Sequence, residues 1–299
     1  MNQRAIAELD SSVSLMYASG AVKVARRPLR MLGSKLLERR AHANGGVYPV
    51  TARTFWGATF HSIIPEGVST TIYRYGFFEE ELTRAFIDLL KPGMTFFDVG
   101  SHFGYFSLLA ADLVGPAGKV HAFDPTPSTY EMLRKNVGHL PNVTTINAAG
   151  FSREAKLDFT DFGLEYSAYN SLSQGGGGGK ISFDKSKPQP TPRHFQVDAL
   201  TIDGYIDRTG VKPNMLKIDA EGAELEILKG MEHTLREVKP VVTLEMGDVG
   251  AAKGTRTSRN VVDHILARGY QGFEYKGNKR VPHTPLETYP YTNLVFMPA

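Results

Sequence analysis

Two carboxylates stand where a parallel sheet could present them to one ligand. Asp98 lies near the end of the apolar segment 95–99, which the turn Gly100-Ser-His-Phe-Gly104 follows, and Asp124 comes directly after a second apolar segment, 119–123. Short apolar runs bounded in this way predict buried strands, and the glycines let the backbone approach a ligand closely. Strand, glycine turn, helix and strand form one nucleoside-binding half of a doubly wound sheet, so Asp124 is expected to accept both hydroxyls of a ribose.

The spacing of the glycines bears on which nucleoside this is. A dinucleotide site needs Gly-x-Gly-x-x-Gly, whereas this turn has two glycines in another register and Asp98 at its mouth. An anion there repels a pyrophosphate but attracts a sulfonium and an α-ammonium group. The pattern favours S-adenosylmethionine over NAD, with an NAD-type oxidoreductase as the alternative.

Further residues are predicted to contact this donor because they lie at strand ends or near them. Asn147 and Ala148, at the tip of a third strand, are expected to line the adenine, and Glu80, ahead of the first strand, to bind the methionine amino group. The full predicted set is Glu80, Asp98, Gly100, Ser101, Gly104, Asp124, Pro125, Asn147, Ala148 and Asp219.

Three more acids are candidates for catalysis. Asp219 and Glu245 lie at the tips of two later apolar segments, and Glu221 begins the helix after the first of them. A hydroxyl is a poor nucleophile, so a base should assist methyl transfer to it. We expect Asp219 to face the donor and Glu221 or Glu245 to orient or deprotonate the acceptor. Glu221 could equally serve to stabilise the helix N-terminus by its negative charge instead of acting as a base.

A metal ion and a histidine are the remaining catalytic options. Asp219, Glu245 and Asp248 could bridge a divalent cation, since hard cations prefer carboxylates, but their spacing matches no recognised loop, so no metal site is predicted. His102 is the only histidine inside a motif and is kept as a catalytic candidate, although a loop residue bonded to backbone is the favoured reading.

Composition narrows the class of protein. The chain has 299 residues, a net charge of +3 and no cysteine, so it lacks a general nucleic-acid signature, a disulfide framework and any thiolate chemistry. No apolar run approaches the length of a membrane span, and no secretory signal pattern opens the chain. We expect a cytoplasmic protein that acts on a small-molecule or glycan acceptor and binds no nucleic acid.

Alternating strand and helix patterns predict an α/β fold. Residues 91–299 are expected to form a doubly wound, seven-stranded and mostly parallel sheet whose last strand, 292–297, is antiparallel, with a mobile Gly/Pro loop at 174–192. Residues 47–90 lie ahead of this core, where residues 47–75 read as strand-like and suggest a hairpin, and residues 79–90 predict a helix. Within the core a helix is predicted at 199–208.

The first 46 residues predict a separate helical arm with a basic excess. Leu29, Leu32 and Leu36 share one face of a helix. That face is expected to pack on the core or on a second subunit, which would make a homo-oligomer, while contact with a membrane surface is the less favoured alternative.

Several segments resemble the FkbM-type methyltransferases. The most specific is Leu216-Lys-Ile-Asp-Ala-Glu-Gly-Ala-Glu-Leu-Glu-Ile-Leu-Lys-Gly230. Phe97-Asp-Val-Gly-Ser-His-Phe-Gly104 and Ala122-Phe-Asp-Pro-Thr-Pro127 are similar to the first and second motifs of that family. Gly76-Phe-Phe-Glu-Glu80 and Asn293-Leu-Val-Phe296 fit its edges, so the resemblance runs from about Tyr75 to the C-terminus without the glycine loop.

The resemblance implies an S-adenosylmethionine-dependent O-methyltransferase of the class I, Rossmann-like fold. Members typically methylate hydroxyls of sugars, glycosides or other secondary metabolites. Two positions depart from the pattern, because Asp124 stands where glutamate is usual and His102 where a small polar amide is usual. A methyltransferase fold kept only as a non-catalytic assembly module is the other alternative, and the acids at both strand tips speak against it.

Overall fold

The computed structural model describes residues 2–172, 191–248 and 257–299. The predicted loop at 174–192 lies outside these ranges except for its last two residues. The helices are α1 (Asn2–Tyr17), α2 (Gly20–Arg26), α3 (Pro28–Asn44), α4 (Gly67–Tyr75), α5 (Glu80–Leu89), α6 (Tyr105–Val114), α7 (Pro127–Val137), α8 (Ile202–Thr209), α9 (Glu224–Lys229) and α10 (Thr257–Leu266).

The strands divide among a hairpin, a central sheet and a small added sheet. They are β1 (Tyr48–Arg53), β2 (Thr59–Ile64), β3 (Thr95–Val99), β4 (Lys119–Phe123), β5 (Val143–Ile146), β6 (Ala149–Gly150), β7 (Ala155–Asp161), β8 (Ser171–Leu172), β9 (Arg193–Leu200), β10 (Met215–Ile218), β11 (Val241–Met246), β12 (Tyr270–Lys276), β13 (Lys279–Pro282) and β14 (Thr292–Pro298).

The central sheet has the order β13-β12-β14-β11-β10-β3-β4-β5. Strands β11, β10, β3, β4 and β5 pair in parallel, while β14 is antiparallel to both β11 and β12. From β3 the chain builds outward through β4 and β5, and from β10 it builds in the opposite direction. The strand order therefore reverses between β3 and β10, the place where doubly wound sheets bind their ligands.

The central strands are buried on both faces, as a sheet covered by helices requires. In β3, Phe96 belongs to the apolar cluster on one face and Phe97 to the cluster on the other. Leu9 of α1 is fully buried in the first cluster. The N-terminal helices therefore pack against the body of the protein, and Arg84 of α5 bonds Asp10 of α1 at 2.6 Å.

The α/β class and the antiparallel last strand agree with the expectation, but the sheet has eight strands rather than seven. The added strand, β13, follows β12 through the tight turn Gly277-Asn278, whose residue types favour two-residue hairpins. Its short polar sequence gave no strand signal.

Two elements were read differently from the sequence. Residues 67–75, within the stretch that reads as strand-like up to Tyr75, form helix α4 because the Glu66 carboxylate caps the backbone N–H groups of Val68 and Ser69 at 2.9 and 2.6 Å. Residues 193–200 form β9, which pairs antiparallel with β7, so the helix expected at 199–208 begins only at Ile202. Within the described ranges no helix is long and apolar enough to cross a bilayer.

Candidate active site

A cavity of about 460 Å³ lies where the strand order reverses. The predicted residues that line it are Gly100, Ser101, His102, Asp124, Pro125, Ala148, Asp219, Glu221 and Glu245. They come from the carboxyl ends of five parallel strands and the loops after them, so their convergence follows from the strand order. Phe60 and Phe78, from the segment ahead of the core, add an apolar wall.

The two glycines of the turn serve different contacts. Gly100 has a φ of +85°, and a Cβ there would lie 1.7 Å from the backbone oxygen of Asp219. Gly104 has a φ of +86°, and its Cβ would lie 2.6 Å from Leu133 of α7. Gly100 thus permits the close approach of the β3 and β10 loops, and Gly104 the packing of α6 on α7. Ser101 closes the turn by donating its hydroxyl to the backbone oxygen of Asp98 at 2.7 Å.

Asp124 lies at the cavity with its carboxylate held by the protein. One oxygen accepts from Thr126 N at 3.0 Å and from the Thr129 hydroxyl, and the other accepts from His102 N at 3.0 Å. Burial raises the pKa of Asp124 to about 7. A carboxylate offers about four acceptor positions, so room for a ribose hydroxyl remains on the oxygen that His102 contacts.

Asp98 and Lys217 form a buried pair beneath the cavity. Asp98 is fully buried, accepts the Ser107 hydroxyl at 2.6 Å, and lies 3.8 Å from Lys217 Nζ. The two residues are register partners on β3 and β10. The other oxygen of Asp98 has no hydrogen-bond partner among the described residues. Burial raises the pKa of Asp98, since the charged form is poorly solvated there.

Lys217 also fixes the charge of Asp219. Its Nζ lies 2.8 Å from Asp219 Oδ2, and although burial opposes its charge, Asp219 and Asp98 raise the pKa of Lys217 above its usual value. Burial works against ionisation of Asp219 as well, but Lys217 and a hydrogen bond from Glu245 outweigh it, so the pKa of Asp219 is lowered. Asp219 is therefore the ionised member of the acidic cluster. Lys217 is not among the residues predicted from the sequence, although a lysine inside an apolar strand is a signal for it.

Three carboxylates converge at the other end of the cavity. Asp219, Glu221 and Glu245 each place one oxygen within 4.8 Å of the others. Burial, with the negative charge of Asp219 adding to it, raises the pKa of Glu245 to about 11. Glu221 is the most exposed of the three, and partial desolvation together with the charges of Asp219 and Glu224 raises its pKa to about 8. At neutral pH Glu245 is therefore protonated and donates to Asp219, whereas Glu221 titrates close to the working range.

The backbone of the loop after β10 aims Glu221 at the cavity. Glu221 has a φ of +49°, a left-handed conformation that is uncommon for a side chain other than glycine or asparagine. Glu224 holds this loop, since its Oε1 accepts from Ala220 N at 3.0 Å and Gly222 N at 3.1 Å. Glu221 lies ahead of α9, and the acids in the first turn of that helix are Glu224 and Glu226.

The acidic cluster has the donor set of a hard cation, because each of its three carboxylates places one oxygen within 4.8 Å of the others. Asp219 also pairs with Lys217 at 2.8 Å. Asp248, which sequence spacing suggested as a third ligand, lies apart from the cluster. Its carboxylate accepts from Thr257 Oγ1, Ser258 N and Tyr289 N, which joins the start of α10 to the loop before β14.

His102 has its ring in a fixed place. Its Nε2 lies 2.7 Å from Ser167 Oγ, and the ring stacks on Phe103 with centroids 4.0 Å apart. Burial lowers the pKa of His102, so the ring is neutral at pH 7. Its backbone N–H donates to Asp124, so His102 helps to hold the acid expected to bind the ribose. A catalytic role for its ring stays a prediction.

Glu80 and Asn147 lie outside the cavity. Glu80 pairs with Arg84 at 2.9 Å, one helical turn away, and so points along α5. Asn147 donates its amide to the backbone oxygens of Asp124 and Pro125 at 2.8 and 3.1 Å, so it shapes the loop after β4 while Ala148 reaches the cavity.

The acid at the start of α5 that faces the site is Glu79. It accepts from the Tyr291 hydroxyl at 2.5 Å and from Asn293 Nδ2 at 3.1 Å, and Tyr291 lines the cavity. Burial and the charge of Asp219 raise the pKa of Glu79. Glu79 has a φ of +42°, a left-handed conformation at the start of α5. Because it borders the cavity through Tyr291 while Glu80 pairs with Arg84, Glu79 is the stronger candidate for the donor contact predicted of Glu80.

We predict that Glu79→Gln weakens binding of the methyl donor about tenfold to a hundredfold, the range for losing a hydrogen bond to a charged group. The matched control is Glu80→Gln, which removes a neighbouring charge on the Arg84 side and should leave donor affinity unchanged. Calorimetric titration of both variants checks this. A larger loss in Glu80→Gln than in Glu79→Gln would contradict the assignment.

Comparison with known proteins identifies the family. The model of the methyltransferase FkbM domain matches residues 98–271. Hexuronic acid methyltransferase AglP of Haloferax volcanii is 28% identical over 164 residues, which are 55% of this chain and 61% of that protein. The 31-O-demethyl-FK506 methyltransferase FkbM of Streptomyces tacrolimicus is 28% identical over 205 residues, 63% of this chain and 78% of that protein.

A crystal structure of a methyltransferase FkbM from Methylobacillus flagellatus KT is also similar, at 14% identity and a TM-score of 0.42, over 76% of this chain and 52% of that one. The family assignment rests on the sequence match, which spans more than half of the chain and contains Asp98, Asp124, Asp219 and Glu245. The chain belongs to the family of methyltransferases defined by the FkbM domain.

Proposed function

We propose that this protein is an S-adenosylmethionine-dependent O-methyltransferase whose acceptor is a hydroxyl of a sugar, glycoside or other secondary metabolite. The observation that carries the proposal is the acid-lined cavity at the reversal of strand order. Relatives named for a hexuronic acid and for 31-O-demethyl-FK506 support an oxygen acceptor of this class.

The residues present fit the donor. Asp124 offers a ribose contact, Ala148 a small wall for the base, and Asp98, Asp219 and Glu79 surround one lysine with three carboxyl groups. A cationic ligand is favoured in such surroundings, because charge attraction is strong where solvent is excluded. When bound, S-adenosylmethionine supplies an electrophilic methyl group on a sulfonium.

The chain's own residues then act on the acceptor. Asp219, held ionised by Lys217, can accept a hydrogen bond from a neighbouring hydroxyl of the acceptor, which would align the reacting hydroxyl for attack. The Glu221 carboxylate is placed to take the proton that the reacting hydroxyl must lose when it is methylated. Glu245 keeps its own proton and orients Asp219.

Calorimetric titration tests the proposal. The protein should bind S-adenosylmethionine and show no comparable affinity for NAD, and Asp124→Ala should weaken donor binding about tenfold to a hundredfold. Glu131→Ala, which removes an exposed acid on the next helix, is the matched control. A methyl-transfer assay on hexuronic acids and on 31-O-demethyl-FK506 then tests two candidate acceptors. Absence of donor binding at saturating concentration would end the proposal.

The affinity should also depend on pH. Asp124 has a raised pKa of about 7, so it loses its negative charge as the pH falls through 7 and becomes a poorer acceptor for ribose hydroxyls. Donor binding by the wild type should therefore weaken below about pH 7, and this dependence should vanish in Asp124→Ala. An identical pH dependence in wild type and variant would assign it to another group.

A further inference from the structure

We propose that the N-terminal helices form a docking surface for an anionic phospholipid membrane. The surface has two adjoining parts: an exposed leucine stripe on α3, made of Leu29, Leu32 and Leu36, and an arginine cavity at the start of α3, lined by Arg26, Arg27, Arg30 and Arg53.

The leucine stripe is exposed although its helix is already packed. Leu29, Leu32 and Leu36 are 86%, 55% and 51% exposed, and their spacing of three and four residues places them on one face. The opposite face buries Met31, Ser34 and Ala41 against the protein. The leucines therefore face outward from a docked helix and are not required by the core.

Exposed apolar side chains are concentrated in this region. Seven large hydrophobic side chains are exposed among the described residues, and five of them lie in α1–α3. These five are the three stripe leucines, Tyr17 and Val22. Scattered single hydrophobic residues need no explanation, but a contiguous apolar patch with a charged rim marks an interaction site.

Positive charge surrounds the stripe. Residues 20–44 contain seven lysines and arginines and one acid, Glu38, which is occupied by Arg74 at 2.8 Å. Lys35, Arg39 and Arg40 are exposed and flank the leucines along α3. An apolar face bordered by lysine and arginine is the pattern of helices that lie in the interface of anionic membranes.

The arginine cavity continues the stripe at its N-terminal end. It measures about 530 Å³, and Leu29 is part of its wall. Its one acid, Glu8, is paired with Arg4 at 3.0 Å. Arg27 and Arg30 donate to the backbone oxygens of Arg74 and Tyr73, so no carboxylate among the described residues neutralises the guanidinium groups. The positive charge of the cavity is complementary to a phosphate headgroup, and the leucine stripe to the adjoining acyl chain, which together describe a phospholipid.

Other occupants fit this surface less well. A second copy related by a two-fold axis would set the same basic patch against itself, so that like charges at the two ends of α3 repel. A nucleic acid would engage the arginines and leave the leucines in water. Only an anionic amphiphile satisfies the charges and the stripe at once.

Flotation of the full-length protein with lipid vesicles tests the proposal. We expect binding to vesicles of phosphatidylcholine with phosphatidylglycerol, little binding to phosphatidylcholine alone, and weaker binding at high salt. Arg39→Gln with Arg40→Gln should weaken binding about 25-fold, since each basic residue near an anionic surface contributes about a fivefold factor. Replacing the three stripe leucines by serine should weaken binding about tenfold or more, because apolar burial is lost.

Matched controls separate this surface from general effects. Arg134→Gln with Lys135→Gln removes an adjacent pair of exposed cations on α7, and Leu286→Ser removes an exposed leucine elsewhere, and both should bind as the wild type does. Unchanged donor binding in every variant shows that folding is intact. Failure of the wild type to float would overturn the proposal, as would a dimer that the leucine variant converts to monomer, or binding to RNA that survives loss of the leucines.

Discussion

Replacing Glu221 by glutamine should lower kcat by about a hundredfold to ten-thousandfold, the range supplied by a general base. The side chain reaches the cavity, and its raised pKa of about 8 makes it the carboxylate best matched to accept a proton near neutral pH. Asp219 is too acidic and Glu245 is protonated, so neither offers the same combination. Donor affinity should change little, because Glu221 acts on the acceptor.

The pH–rate profile gives an independent measure of the same role. A base works when deprotonated, so wild-type kcat should rise with pH through about 8 and level above it, and this limb should be absent in Glu221→Gln. Glu226→Gln is the control, since Glu226 lies on α9 and bonds Ser152 and Lys229. Full activity in Glu221→Gln would place the base elsewhere.

Substitutions of Glu245 test whether this residue keeps its own proton or accepts one from the acceptor. A glutamine there can still donate to Asp219, so Glu245→Gln should retain activity within about tenfold, the value of one neutral hydrogen bond, whereas Glu245→Leu should lose more. If Glu245→Gln were as damaging as Glu221→Gln, Glu245 rather than Glu221 would be the better candidate for the base.

Gly100→Ala should abolish the donor site and destabilise the protein by roughly 2–6 kcal/mol, the sum of a positive φ and an overpacked contact. The new Cβ would lie 1.7 Å from the Asp219 carbonyl oxygen, which belongs to rigid backbone that cannot yield as a flexible side chain can. The two loops that follow β3 and β10 must then separate, and this displaces both Asp98 and Asp219 from their positions in the site. Thermal unfolding and donor titration measure the two effects.

Gly93→Ala provides the matched control. Gly93 has the same φ of +85°, but no atom lies within 4 Å of the position its Cβ would take. It therefore carries the conformational cost without the collision, and donor binding should persist. Equal damage in both variants would show that φ alone, rather than the approach of the two loops, makes Gly100 necessary.

The elements that position the site were largely predictable from local sequence. The segment 95–104 reads as strand, glycine turn and helix start because apolar length and glycine spacing are short-range signals, and Asp124 and Asp219 follow from the same pattern. Helix α4 was not predictable in this way. Its β-branched and aromatic residues favour a strand, and the buried Glu66 cap decides otherwise.

The position of Glu79 shows a second limit. Glu79 and Glu80 are adjacent acids at a helix start, and sequence periodicity cannot tell which one enters the site. Arg84 takes one of them and Tyr291, more than two hundred positions away in the chain, takes the other. Partners that are distant in sequence therefore settle a question that a local pattern leaves open.

The chain by itself thus determined the layered fold, the strand-tip acids and the methyltransferase family, because each depends on residue types at short spacing. Only the folded arrangement decided which acid carries a proton. Lys217 stands opposite Asp98 on the neighbouring strand and beside Asp219, and Glu245 comes from a third strand. Protonation follows from charge and burial within a few ångströms, and those neighbours exist only once the strands have paired.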